Sequence, residues 1–157
     1  MDGKPNEFGV EQGALDRYAE SFNASEILEF FETHLVFPDT ETVQAIIDEP
    51  ADGMMGGMGE ERVFNGGVLA AMYDLVIGCA GALVDPTRRA ATVQLSMNFE
   101  RPVTGDRLVA EAGVDRAGKK LVFASATIFD KEQRICSHGQ GVVRLASTGW
   151  EGDSPGG

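Results

Sequence analysis

This sequence of 157 residues is poor in cysteine, tryptophan, histidine and positive charge. It has two cysteines, one tryptophan and two histidines, and its 13 lysines and arginines face 25 carboxylates. Two cysteines far apart in the chain cannot build the disulfide framework of a small secreted domain, so we expect a reducing compartment, by default the cytoplasm. The formal net charge of -12 would repel phosphodiester backbones and no basic cluster offsets it, which argues against a nucleic-acid partner.

One apolar run, residues 66–84, is as long as a membrane span but contains Asp74. A carboxylate near the middle of a span costs about 3 kcal/mol in lipid, and the strand-like segments around this run need something to cover them. We therefore expect no membrane partner and predict a buried central helix over about 66–84. Asn65 is placed to cap its start, and Asp85-Pro86 ends it because proline cannot continue a helix.

The remaining patterns predict a single α+β domain with a helical extension. Residues 11–31 carry apolar side chains at helical spacing and form the N-terminal extension. Residues 1–10 and 147–157 have too few apolar groups to offset the entropy of ordering and are predicted to be mobile. The domain itself then occupies residues 32–146.

The strands of this domain are predicted from alternation and turns. Two strands lie within 34–48, and a Gly- and Met-rich loop follows at 52–59. After the helix, apolar and polar residues alternate over 93–99, the clearest period-two segment in the chain. Three more strand-like runs follow, separated by short turns: 108–114, 121–129 and 135–145. This order predicts one antiparallel sheet wrapped around the central helix.

Asp74 is the residue that most needs a chemical explanation. An ionised carboxylate in an apolar helix must be paired, face a cavity or water, or shift its pKa. Positions 70, 71, 77 and 78, which share its helix face, are Ala, Ala, Ile and Gly and cannot neutralise it. A carboxylate that only caps a neighbouring segment is the structural alternative to a catalytic one.

The start of the helix offers a complementary group. Gly66 and Gly67 leave the first-turn N–H groups unobstructed, and the helix dipole there favours a developing oxyanion, although paired glycines also serve tight turns. Gly66 and Asp74 are eight residues apart, about 12 Å along a helix axis, so one reacting carbonyl group can hardly touch both. If they cooperate, each comes from a different subunit, which predicts a dimer with sites at its interface.

Three motifs together resemble the PaaI-type hot-dog thioesterases. They are Phe64-Asn65-Gly66-Gly67 with Asp74 seven residues later, Asn98-Phe99-Glu100-Arg101-Pro102-Val103, and the pairs Gly105-Asp106 and Gly118-Lys119. The resemblance covers roughly residues 35–146, and the combination is far more specific than any one piece. It implies an α+β hot-dog fold, a five- to six-stranded antiparallel sheet around a long central helix.

The same resemblance implies a function and roles for particular residues. It implies hydrolysis of an acyl-CoA or similar acyl thioester without metal or redox cofactor, by homodimers often paired into homotetramers. Asp74 would activate water or attack the thioester carbon, and the Gly66 N–H would hold the carbonyl oxygen. Thr92 falls near a family hydroxyl that orients the water. The family usually has His where this chain has Asn65, which predicts altered preference or a lower rate; an Asn amide can still donate to a thioester oxygen.

Several further residues are candidates for substrate contacts. Phe64 and Gly67 belong to the glycine motif and would adjoin the substrate. CoA carries phosphates, so an acidic enzyme needs local positive charge, for which the candidates are Arg88, Arg89, Lys119 and Lys120. Surface solvation is the alternative role for each of these four.

Two other functions compete with hydrolysis. A hot-dog hydratase or dehydratase would use a His beside the carboxylate, but His34 and His138 are both distant in sequence from the helix start. A non-catalytic acyl-CoA-binding or regulatory module would fit the loss of His at Asn65, although retention of Asp74 argues against it. A Cys79–His138 nucleophile pair is a remote further possibility.

Overall fold

Most of the chain is described by the structure, a computed structural model. The described residues are 3–56, 59 and 61–149. The predicted mobile tail, 147–157, therefore lies outside the described residues from position 150 onward, and its first three residues continue the last strand.

Two helices precede the sheet, as the spacing of apolar residues predicts. Helix α1 spans Gln12–Asn23 and α2 spans Glu26–Phe30. Asn23 ends α1 and bonds to β1 as a neighbouring strand would: its Nδ2 donates to the Leu35 carbonyl and its Oδ1 accepts from the Leu35 N–H, at 2.8 and 2.7 Å. These bonds fix the helical extension against the first strand, since both backbone groups of Leu35 are satisfied by one side chain.

The segment before α1 also has contacts. Asn6 Nδ2 donates to the carbonyls of Thr40 and Leu83, both at 2.8 Å, and Val10 is buried. These bonds tie the segment to the turn before the second strand and to the end of the central helix. Mobility of residues 1–10 stays a prediction, and these contacts of Asn6 and Val10 oppose it.

Eight strands and one long helix make up the rest of the described chain. In chain order the elements are β1 Thr33–Val36, β2 Thr42–Asp48, β3 Met55–Gly56, β4 Val63–Phe64, α3 Gly66–Ala80, β5 Arg88–Phe99, β6 Arg107–Ala117, β7 Leu121–Asp130 and β8 Ile135–Gly149. Six strands form one antiparallel sheet in the order β1-β2-β6-β7-β8-β5, and β3 pairs with β4 separately. The predicted sheet of five to six antiparallel strands is confirmed.

Helix α3 forms the centre of the core, as predicted. It continues as a 3-10 turn over Gly81–Leu83, so the helical path ends close to the predicted residue 84. Of residues 66–83, 61% are buried inside the protein, consistent with a core helix rather than a lipid-facing one. The strands make room for it with small residues: a Cβ at Gly141 would lie 2.9 Å from Ile77 Cγ2.

The strand with the clearest alternation contains an irregularity that the pattern conceals. Its register against β8 shifts between Thr92 and Gln94, so one extra residue is inserted there. Because of this bulge Val93 is 57% exposed, while Leu95 and Met97 pack against the core. The inward orientation predicted for 93–99 is therefore found at Leu95 and Met97, whereas Val93 and Phe99 are exposed.

Candidate active site

The start of α3 has a backbone N–H donor available for an electron-rich atom. Asn65 Oδ1 accepts a hydrogen bond of 2.8 Å from the Gly67 N–H, the capping interaction predicted for this residue. The Gly66 N–H comes first in the helix, has no intrahelical acceptor, and bonds to no acceptor in the described part of the chain. Gly66 and Gly67 are exposed, so this donor faces outward at the positive end of the helix.

The amide nitrogen of Asn65 points toward the small β3–β4 hairpin. A Cβ on Gly56 would lie 3.2 Å from Asn65 Nδ2, so a glycine leaves room for the amide there. The Asn65 N–H itself donates to the Met54 carbonyl at 2.9 Å, and the Phe64 N–H donates to the Val103 carbonyl at 2.9 Å. The segment that sequence analysis treated as a loop thus holds the start of α3 in place.

Asp74 lies on the side of α3 that the sheet leaves uncovered. Its side chain is exposed and makes no hydrogen bond or ion pair within the described residues. The residues beside it on this face, Ala70, Ala71 and Gly78, are small and half-buried. In the single chain the Asp74 carboxylate therefore faces outward. It caps no neighbouring segment among the described residues.

Strand β5 runs alongside α3 in the opposite direction. A Cβ at Gly66 would lie 3.7 Å from the Phe99 ring, and a Cβ at Gly78 would lie 3.3 Å from Thr92 Oγ1. Gly78 is one helical turn beyond Asp74, so the Thr92 hydroxyl stands on the same side of the helix as the carboxylate. The structure thus brings Asp74 and Thr92 to one face of α3, and leaves Gly66 about 12 Å away along the axis.

A cavity of about 280 Å³ opens beside the start of α3. It lies between the β4–α3 junction and the end of β5, and its lining residues are Val63, Phe64, Gly66, Leu69, Phe99, Glu100, Arg101, Pro102 and Val103. Phe64, predicted to adjoin the substrate, is buried here, whereas the Phe99 ring is 51% exposed. Phe99 and Arg101 are residues that sequence analysis did not assign to the site, although both lie in the Phe-x-Arg-Pro motif.

A larger cavity, about 640 Å³, lies elsewhere, between α1 and the turn at Pro86 and Thr87. Its only titratable lining groups are Arg17 and Tyr18, and no carboxylate lines it. Volume alone therefore does not locate the chemistry, and we place the candidate site at the start of α3.

The four basic candidates lie at the opposite end of β5. Arg88 begins that strand, and its guanidinium donates to the carbonyls of Lys119, Leu145 and Ala146. Arg89, Lys119 and Lys120 are exposed at the same end. Since the Gly66 cavity is at the Phe99 end, a single chain does not bring these residues together with the start of α3.

A buried chain of hydroxyls connects α3 to the end of β5. The Tyr73 hydroxyl donates to Ser137 Oγ at 2.7 Å, and Ser137 Oγ donates to the Asn98 carbonyl at 2.6 Å. Burial raises the pKa of Tyr73 to about 12, which outweighs the opposing effect of its bond to Ser137. Tyr73 precedes Asp74 in the helix, so this chain fixes the helix segment carrying the carboxylate relative to Asn98 and Phe99.

The residues proposed for the competing functions are not arranged for them. Cys79 is buried and accepts a contact of 3.8 Å from the Tyr18 hydroxyl, and burial raises the pKa of its thiol to about 12. His138 is exposed, and its Nδ1 lies 2.8 Å from Glu100 Oε1. Because Glu100 lines the cavity, His138 lies closer to the cavity than its place in the sequence indicated. Its Nδ1, however, is engaged by Glu100. Among the described residues, no three His, Cys, Asp or Glu side chains converge to hold a metal.

The curved antiparallel sheet around a long helix, with a free carboxylate on that helix, defines a protein of the hot-dog fold. Residues 62–137 match the family model described as the thioesterase superfamily.

Comparison with known proteins supports the same assignment. The medium/long-chain acyl-CoA thioesterase YigI of Escherichia coli is 30% identical over 94 residues, covering 51% of this chain and 61% of YigI. The chain thus spans less than two thirds of the length of this relative. Among solved structures, the E. coli PaaI protein from the phenylacetic acid degradation operon superimposes with a TM-score of 0.76 at 17% identity, over 88% of this chain and 97% of PaaI. A thioesterase family protein from Silicibacter pomeroyi gives 0.73 at 18% identity, over 85% and 98%.

Proposed function

We propose that this protein hydrolyses an acyl-CoA or a related acyl thioester to the free acid and the thiol. The observation that carries the proposal is that α3 carries two groups with no partner among the described residues: the carboxylate of Asp74 and the N–H of Gly66. Thioester hydrolysis needs both, a base or nucleophile for the carbonyl carbon and a donor for the oxygen that becomes negative. The match of residues 62–137 to the thioesterase superfamily model and the similarity to YigI support this chemistry.

In the proposed reaction, Asp74 removes a proton from a water that attacks the thioester carbon. A bond forms between the water oxygen and that carbon, the Gly66 N–H and the Asn65 amide stabilise the oxyanion, and the carbon–sulfur bond then breaks. The proton passes from Asp74 to the leaving thiolate. Thr92 is placed to orient the water, and direct attack by Asp74 through an anhydride, opened by water, is the second route.

We propose that the complete site forms between two copies of the chain. Strand β5 is an edge of the six-stranded sheet, so one row of its backbone N–H and C=O groups has no neighbour within the described chain. A twofold axis beside β5 would pair this strand with its copy in antiparallel fashion. Because α3 runs antiparallel to β5, the same axis would bring the start of one α3 toward the middle of the other, where Asp74 lies.

This arrangement also gives the basic candidates a place. At the paired edge, the Arg88 end of one β5 approaches the Phe99 end of the other, so Arg88, Arg89, Lys119 and Lys120 could face the cavity of the second copy. A homodimer, further paired into a homotetramer and located in the cytoplasm, is our proposal for the working form. Sedimentation velocity over a range of concentrations would reveal a monomer if the proposal is wrong.

Thiol release from a panel of short, long and aromatic acyl-CoAs tests the function. We expect the wild type to turn over at least one class, and Asp74→Asn to lower kcat by about 10²- to 10⁴-fold with unchanged thermal stability. Asp16→Asn, which removes an exposed carboxylate from α1, is the matched control and should leave turnover unchanged. Equal turnover by wild type and Asp74→Asn would refute the role of Asp74. Binding of acyl-CoA without any turnover would support a non-catalytic binding module instead.

A further inference from the structure

We propose that Arg101 binds a phosphate of the thiol half of the substrate, and that it selects phosphorylated thioesters over uncharged ones. This inference rests on the proposed thioesterase function and assigns the residue that recognises the thiol carrier. Arg101 lines the cavity that contains Gly66, so a group bound by its guanidinium would belong to the same molecule as a carbonyl at the Gly66 N–H.

Arg101 differs from the other basic residues at this end of the sheet because it has no acidic partner. Arg62 pairs with Asp52, Arg107 with Asp48, Lys131 with Asp106, and Arg134 with Asp130 and Glu132. Arg101 is exposed and forms no ion pair with any residue that the structure describes. In a chain with 25 carboxylates and 13 basic residues, a cation left unpaired at a cavity is available for an anionic ligand.

The carboxylate next to Arg101 in sequence, that of Glu100, contacts a different residue. Glu100 Oε1 lies 2.8 Å from His138 Nδ1, so the acid adjacent in sequence is engaged by a different residue. The backbone is fixed as well: the N–H groups of Glu100 and Arg101 both donate to the Cys136 carbonyl, at 3.0 and 2.9 Å. Pro102 follows and restricts the backbone of Arg101 to extended conformations. The guanidinium therefore projects from a rigid base at the end of β5.

The chemistry of this group suits a phosphate ester. A planar guanidinium offers two parallel N–H donors to a phosphate, a geometry that a lysine does not reproduce. A protein with a net charge of -12 repels a polyanionic thioester at long range, so local attraction at the cavity is needed for productive binding. CoA and the phosphopantetheine arm of a carrier protein both carry the phosphate next to pantetheine, and only CoA also carries nucleotide phosphates. The choice of substrates separates these two kinds of phosphate.

The test compares kcat/KM of wild type and Arg101→Gln on one acyl group attached to three thiols: CoA, 4′-phosphopantetheine and unphosphorylated pantetheine. We expect Arg101→Gln to raise KM for acyl-CoA about tenfold or more, as loss of a charge-assisted bond does, with kcat little changed and acyl-pantetheine unaffected. Arg116→Gln on β6, three strands away from β5, removes the same charge and should change none of these values. Arg101→Lys should recover only part of the loss.

The pattern across the three thiols decides the outcome. An effect on acyl-CoA and acyl-phosphopantetheine assigns Arg101 to the phosphate next to pantetheine, which both sources share, whereas an effect on acyl-CoA alone assigns it to the nucleotide phosphates of CoA. An equal loss on acyl-pantetheine would overturn the inference, because that substrate has no phosphate. Where acyl-pantetheine turns over too slowly to measure, its inhibition constant against acyl-CoA hydrolysis gives the same comparison. Absence of turnover by the wild type on all three would overturn the proposed function itself.

Discussion

The ring of Tyr73 packs directly on the backbone of Gly139. A Cβ at position 139 would lie 2.6 Å from Tyr73 Cε1, closer than side-chain atoms pack, and the ring is fully buried and held by its bond to Ser137. Tyr73 cannot retreat without breaking that bond, so the sheet must carry a glycine here.

We expect Gly139→Ala to destabilise the protein by about 1–3 kcal/mol, because the added methyl forces the helix away from the sheet. Urea unfolding monitored by circular dichroism measures the change. Gly53→Ala is the control, since a Cβ there has no atom within 4 Å and should alter stability little. An unchanged midpoint for Gly139→Ala would show that the helix and sheet can separate freely.

Two substitutions at Asn65 should separate its structural role from its chemical one. Asn65→Ala removes the cap on the Gly67 N–H and should cost about 1 kcal/mol of stability. Asn65→Asp keeps an oxygen for the cap but loses the amide donor and places a negative charge beside the Gly66 N–H. It should therefore be as stable as wild type and slower in thioester hydrolysis. Thermal melts and thiol-release assays on both variants test this, and wild-type kcat in Asn65→Asp would exclude the amide from the reaction.

The turn between β7 and β8 depends on one buried carboxylate. Although burial opposes ionisation of Asp130, the Arg134 and Glu132 N–H groups and the Arg134 guanidinium hold the pKa of Asp130 below its usual value. A lowered folded pKa means that this stabilisation is present above the unfolded pKa of about 3.9 and is lost as the pH falls below it.

We expect Asp130→Ala to cost about 1–3 kcal/mol at neutral pH and less at about pH 3, because three donors lose their acceptor only where the wild-type carboxylate is ionised. Urea titrations at both pH values test the expectation. Asp115→Ala is the control, since that carboxylate is exposed and, among the described residues, accepts a hydrogen bond from Ser125 Oγ alone. A loss that does not vary with pH would mean that packing, not charge, explains the effect.

The buried thiol of Cys79 should make the protein sensitive to alkali. Burial raises the pKa of Cys79 from 9.0 to about 12, so the unfolded chain releases this proton at lower pH than the folded chain. The associated stability is complete below about pH 9 and is lost as the pH rises toward 12. The slope of unfolding free energy against pH above 9 should be shallower in Cys79→Ala. In the native protein at neutral pH, Cys79 should also react far more slowly with thiol reagents than in urea.

Much of the fold could be predicted because its pattern is local. The cap at Asn65, the apolar length of α3 and the turns between the later strands each depend on a few consecutive residues, and the structure confirms them. The bulge at Val93 could not be predicted, because apolar and polar residues alternate in the sequence in the same way whether or not a residue is inserted into the pairing with β8. The β3–β4 hairpin was missed because its strands are two residues each. They are held by hydrogen bonds that join Phe64 to Val103 and Arg62 to Gly105, residues distant in sequence.

The candidate site was predictable to a lesser degree. Asp74 stood out because a charge in an apolar helix is rare, and its exposure on α3 accords with that reasoning. Arg101 carries no such signal, since an arginine before a proline resembles any surface cation. Only the pairing of every neighbouring basic residue with a carboxylate distinguishes it, and those pairs join residues from different strands and turns.

The order of the strands has a consequence for synthesis of the protein. Strand β5 follows α3 directly in the chain, yet among the described strands it pairs only with β8, the last of them in chain order. Until β8 leaves the ribosome, β5 has both edges open and one side of α3 has no cover. Chains that stop early would expose an unpaired strand prone to aggregation. A chain that contains the Asp74 region but ends before β8 would therefore lack the strand that pairs with both β5 and β7.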